Sequence, residues 1–121
     1  MNLAQKPPLG LRAPASVSGA IRKSARGQPC TLRVPGVCTG DPETTVACHV
    51  QAPGMGVMGG KASDLHVIHA CASCHAVLDH RDRWAEAEIG WDDVLRALIE
   101  TQSRLMREGL IRLGKARGGE T

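Results

Sequence analysis

The feature that most limits what this chain can fold into is a set of thiols in two pairs, Cys30-x7-Cys38 and Cys71-x2-Cys74, the second followed at once by His75. Four soft ligands are the number a closed tetrahedral zinc site requires, and the Cys-x2-Cys half is the stronger of the two signals. The rest of the composition makes such a site valuable. Among 121 residues there is no Phe or Tyr, so only Trp84 and Trp91 bring aromatic bulk to a single small domain. Domains short of buried apolar area commonly draw stability from a bound metal or a cross-link. With five cysteines one thiol is left over, which argues against a closed set of disulfides.

Prolines in MNLAQKPPLGLRAPASVSG stand where a signal peptide needs an apolar run, and no segment approaches the roughly 18 apolar residues of a membrane span. The expectation is a cytoplasmic protein with no membrane partner. In that reducing compartment clustered cysteines are more often metal or redox sites than structural disulfides. Net charge is +3, but Lys6, Arg12, Arg22, Lys23 and Arg26 precede any acidic residue, and Arg104, Arg107, Arg112, Lys115 and Arg117 gather near the C-terminus. Basic ends on a nearly balanced body suit a nucleic-acid backbone, and suit solvated tails equally well.

Residues 1–20 are rich in Pro, Gly, Ala and Ser without period, and are expected to form a disordered basic arm. The folded unit is expected over 21–113 and a flexible tail over 114–121. TLRVPGVC turns at Pro35-Gly36 and predicts a short hairpin or knuckle carrying Cys30 and Cys38. Alternation over Thr44 to Val50 predicts a strand ending at Cys48-His49, and Leu65, Val67 and Ile68 a second one. A helix follows from Ala72 to Arg83, and another over about 91–109 with Trp91, Leu95, Leu98 and Leu105 as its packing stripe. The Gly54 to Gly59 run matches the letters of a dinucleotide fingerprint, but no long helix with a suitably placed acidic partner follows. Gly60-Lys61 lacks the first glycine and the hydroxyl residue of a phosphate loop.

At about 100° per residue, Cys74, Val77 and Leu78 share one face of the first of these helices, and His75 and Asp79 share the adjacent one. One helix can therefore serve two sites, with His75 and Asp79 at i and i+4 either chelating an ion or forming an exposed ion pair. Cys71-Ala72-Ser73-Cys74-His75 also fits c-type haem attachment, which gives no account of Cys30 and Cys38. A thioredoxin-like motif lacks its βαβ surroundings. Cys48 is either a small buried hydrophobe or, beside His49, a ligand to a second metal. His69 is a neighbour of the zinc site or a spare ligand.

A strand ending in His49 (ACHV), a loop and then CxxCH opening a helix resembles the HNH, or ββα-metal, endonucleases with a zinc-bound CxxC. More closely, RKSARGQPCTLRVPGVCTGDPETTVACHV together with DL…ACASCHAVLD resembles the prophage-encoded family typified by YbcO, similar in turn to the RecA-dependent phage nuclease Ref. The likeness covers roughly Ile21 to Arg83. It implies a small α+β, zinc-bound ββα-metal domain with a C-terminal packing helix, acting as a metal-dependent DNA endonuclease in phage or prophage recombination. His49 corresponds to the general base, and His75 to a ligand of the catalytic ion. Asp79 corresponds to a second ligand, whose carboxylate suits Mg²⁺ or Mn²⁺. The family's middle residue, usually asparagine, orients the base; counting back from Cys71 puts His66 there, with Asp64 close by as the expected acceptor. Cys48 stands where an acidic or histidine ligand often precedes the base. A RecA-like recombinase filament is implied as a partner only by the likeness to Ref. The rival reading is a catalytically silent zinc module that binds DNA or a recombination protein through its basic ends.

Overall fold

A computed structural model describes residues 17–51 and 63–114. The glycine-rich run, with its dinucleotide-fingerprint and phosphate-loop likenesses, therefore lies outside the described residues, as do most of the expected arm and tail. The last two residues of that arm, Gly19 and Ala20, open helix α1 (Gly19–Ser24), because Ser18 Oγ accepts the Ile21 N–H at 3.2 Å and caps it. Ile21 is the buried residue of this short helix, and it packs with Val67 and Leu105.

Two antiparallel strands follow, β1 (Val46–His49) and β2 (Val67–Ala70), in a register that pairs Val46 with Ala70 and His49 with Val67. Every residue of β2 is buried. Ile68 and Ala70 belong to the main core with Cys48 and Val77, and Val67 to the smaller cluster under Leu105. The far edge of β2 is covered too, since the Thr31 N–H and hydroxyl both donate to the His69 carbonyl at 2.7 Å. Thr31 opens the Cys30–Cys38 segment, which is a knuckle of turns and not a hairpin. Val34 O accepts from both Val37 N and Cys38 N, while Arg33 and Gly36 take positive φ, 48° and 75°.

Helix α2 spans Ala72–Leu78 and stops five residues short of Arg83. The Trp84 indole N–H donates to the carbonyls of Val77 (3.0 Å) and Leu78 (3.2 Å), satisfying acceptors that a continuing helix would have used. The chain resumes as a 3-10 turn (Arg81–Arg83) and the short α3 (Trp84–Ala87), which ends at left-handed Glu88, φ 57°. The long α4 (Trp91–Arg107) starts where the Asp93 carboxylate accepts the Gly90 N–H at 2.9 Å. Its inner face is Val94, Ala97, Thr101 and Leu105; of the expected stripe Leu105 is buried and Leu98 packs on the core, whereas Leu95 is 57 % exposed, so the buried face is rotated from the expected one. Apolarity alone passes over Ala97, whose small side chain permits close approach. It also passes over Thr101, whose hydroxyl accepts the His69 N–H at 3.0 Å. The result is a small α+β unit in which a two-stranded sheet is held between a thiol-bearing knuckle and helices.

Candidate metal centre and active-site cleft

The knuckle and the start of α2 bring Cys30, Cys38, Cys71 and Cys74 together, with all four sulfurs within 4.8 Å of one another. A tetrahedral zinc site with Zn–S bonds of about 2.3 Å has sulfur–sulfur edges of ~3.8 Å. Cys38 and Cys71 already stand at 3.9 Å. The hydrogen bond between Cys30 and Cys74 pulls the Cys30 thiol down, and the same contact drives the Cys74 thiol up. Zinc bound there would take all four sulfurs as thiolates, since thiolates and not thiols are its ligands. Backbone N–H groups of Arg33 and Val34 point at the Cys30 and Cys74 sulfurs, each at 3.5 Å, and support that charge. The donor set fits structural zinc. It also gives Cys71 and Cys74 partners that haem attachment would not.

At the end of β1, His49 Nε2 lies 2.8 Å from Asp64 Oδ1. Asp64 is almost wholly buried, yet its other oxygen accepts the Ser18 N–H at 2.7 Å and faces Arg22 Nε at 3.5 Å. Burial alone would raise this carboxyl. The Ser18 N–H, the His49 ring and the Arg22 charge outweigh it and hold the group below its ordinary value. An ionised Asp64 assigns the ring hydrogen of His49 to Nε2 and leaves Nδ1 with a free lone pair. It is Asp64 and not His66 that reaches His49; His66 is exposed, and its carbonyl accepts the Val50 N–H. Ser18 and Arg22 carry no signal in the sequence. They act through contacts 46 and 42 positions away in the chain, on which local pattern is silent.

On α2, His75 Nε2 meets Asp79 Oδ2 at 2.9 Å, and both side chains are substantially exposed. Asp79 and His49 line one cleft of about 330 Å³, together with Val50, Gln51, Leu78, Arg81, Trp84 and Trp91. Cys48 is buried, and its thiol donates to the Val46 carbonyl at 3.6 Å. Burial, aided by the Asp79 charge, pushes that thiol up to about 12, so it is protonated and behaves as a small hydrophobe. His69 points at α4, with Nδ1 2.8 Å from the Arg104 guanidinium, and its burial and that charge push it down to about 4.

The family model described as "Putative nuclease YbcO" matches residues 19–110, a span that contains all of these groups except Ser18. The chain belongs to the YbcO family. The YbcO protein of Escherichia coli (strain K12), named "Putative nuclease YbcO", is 38% identical over 92 residues, which cover 76% of this chain and 96% of that one. The ybcO protein of Enterobacteria phage 82, also named a putative nuclease, matches to the same extent. Among solved structures, that of "a putative bacteriophage protein from Escherichia coli" superposes with a TM-score of 0.60 at 37% identity, covering 74% of this chain and 100% of that one. YbcO relatives thus come from both a bacterium and a phage. None of the described helices of this YbcO-family chain is long and apolar enough to cross a membrane.

Proposed function

We propose that this YbcO-family chain is a metal-dependent DNA endonuclease of HNH type that hydrolyses phosphodiester bonds in a phage or prophage recombination setting, in the cytoplasm. The observation that carries the reading is His49, which meets buried Asp64 at 2.8 Å and lines the same cleft as Asp79. Nδ1 of His49 takes a proton from the attacking water, and the Asp64 carboxylate steadies the imidazolium that results. His75 and Asp79 are the residues that would hold a divalent ion, with Mg²⁺ or Mn²⁺ favoured by the carboxylate. Such an ion supplies charge stabilisation at the phosphate and the leaving oxygen. Zinc on the four cysteines would tie α2, and with it Asp79, to the Cys30–Cys38 knuckle. DNA presented on a RecA-like filament is the setting suggested by the likeness to Ref.

A second reading has one observation in its favour. His75 and Asp79 already satisfy each other at 2.9 Å, as in a zinc module that binds DNA without cutting it. A cleavage assay on plasmid and single-stranded DNA with Mg²⁺ or Mn²⁺ separates the two. Cutting is expected from the wild type, and a loss on the order of 10²–10⁴-fold in His49→Ala at unchanged zinc content. Binding without cutting, even in the presence of a recombinase filament, would establish the silent module instead.

A further inference from the structure

Three side chains on the wall of the cleft take no part in the hydrolysis proposed above. Trp84 and Trp91 meet edge to face, their centroids 4.8 Å apart and their planes at 67°. The Arg81 guanidinium lies over both rings, 4.6 Å from one centroid and 4.5 Å from the other. Trp84 is buried and its N–H is committed to the end of α2. Trp91 differs: it is 38 % exposed at the first turn of α4. Among the described residues, neither its indole N–H nor any Arg81 nitrogen has a hydrogen-bond or carboxylate partner. Stacking fixes where the guanidinium sits without using its in-plane donors. A fixed cation with open donors, beside an accessible indole, in the cleft that holds His49, is suited to a nucleotide whose phosphate and base are both within reach.

We propose that Arg81 and Trp91 seat an unpaired nucleotide next to the phosphate that is cut, the phosphate on the Arg81 N–H groups and the base stacked on the exposed Arg81–Trp91 surface. The inference rests on the nuclease reading for its position beside His49 and sharpens it, since it names single-stranded or locally unpaired DNA as the substrate. A paired base has both faces covered by its neighbours and must be unstacked to reach an indole, whereas every base of a single strand offers an open face. A cleft of about 330 Å³ admits one nucleotide and no stack of base pairs.

The two tryptophans, with no tyrosine, make the protein's own emission the probe. The full chain carrying His49→Ala, zinc-loaded and without added divalent ion, is titrated with oligothymidylate and with the same strand annealed to oligoadenylate. The expected result is quenching by the single strand and little by the duplex. Adding Trp91→Leu removes the quench while Trp84 emission persists, and it weakens single-strand affinity by about tenfold or more. Adding Arg81→Ala, an exposed change, lowers the slope of log affinity against log salt by about 0.7 for one lost phosphate contact. Equal quenching by duplex and single strand, or unchanged single-strand affinity in both variants at wild-type zinc content, would overturn the proposal. The readout needs no cleavage. Quenching by a wild type that cuts nothing sinks the nuclease reading and keeps the seat; cutting without quenching sinks the seat alone.

Discussion

Asp64 collects donors from three places: the Ser18 backbone, the Arg22 guanidinium and the His49 ring. An Asn in its place keeps the shape but offers the ring an amide, so the tautomer of His49 is no longer dictated. Asp64→Asn is therefore expected to lower kcat by on the order of 10²–10⁴-fold with little change in KM for DNA, measured by steady-state cleavage. The same carboxylate sets a pH dependence. Its folded-state value lies below 3.8, so as the pH falls the unfolded chain takes up the proton first. Its stabilisation is whole above about 3.8 and is lost as the pH drops through the folded value. The gap in urea midpoint between wild type and Asp64→Asn is expected to be wide at neutral pH and to narrow in that acid range. Of this cluster His49 and Asp64 are legible in the sequence alone, because a family motif and a short separation point to them. Ser18 falls within the expected arm, since a polar backbone contact across 46 residues leaves no mark on composition.

Among the elements, α2 shows how a side chain just beyond the last turn can end a helix. The run from Asp79 to Arg83 carries nothing that forbids helix, and the expectation of continuity to Arg83 follows from that. What stops it is the Trp84 indole folding back onto two carbonyls. Trp84→Phe keeps most of the packing but takes the indole donor from the Leu78 carbonyl, while Val77 O keeps the His80 N–H at 3.1 Å, and is expected to cost about 1–3 kcal/mol. Trp84→Ala also opens a cavity in the core, and about 3–5 kcal/mol is expected. Urea unfolding of the zinc-loaded variants checks both. The rotated stripe of α4 has a related cause: Thr101 is inside because the His69 N–H needs an acceptor there. Strand-versus-helix order is readable from periodicity, whereas the buried threonine can be found only from its partner.

At the scale of the whole molecule, the metal couples segments that the sequence keeps apart, as Cys30 and Cys38 lie more than 30 residues before Cys71 and Cys74. Each half is legible because its spacing is local. The closing of the two halves into one site is tertiary, and the four sulfurs within 4.8 Å are what the fold adds. Removing zinc takes away the link between the knuckle and α2, and binding free energy of this kind is folding free energy. Zinc-loaded wild type is expected to contain one zinc per chain by elemental analysis, and so is Cys48→Ala, whose thiol is buried elsewhere. Cys74→Ala is expected to lose the zinc and the cooperative unfolding transition together, followed by circular dichroism.

The hydrogen bond from Ser18 to Asp64 also decides which residues position 18 tolerates. Ser18 is tied at 2.7 Å to the carboxylate that meets His49, and the tie is a backbone N–H, so it survives a change of side chain at that position. Proline is the exception, because it has no N–H to donate, and Ser18→Pro would leave that carboxylate oxygen facing Arg22 alone.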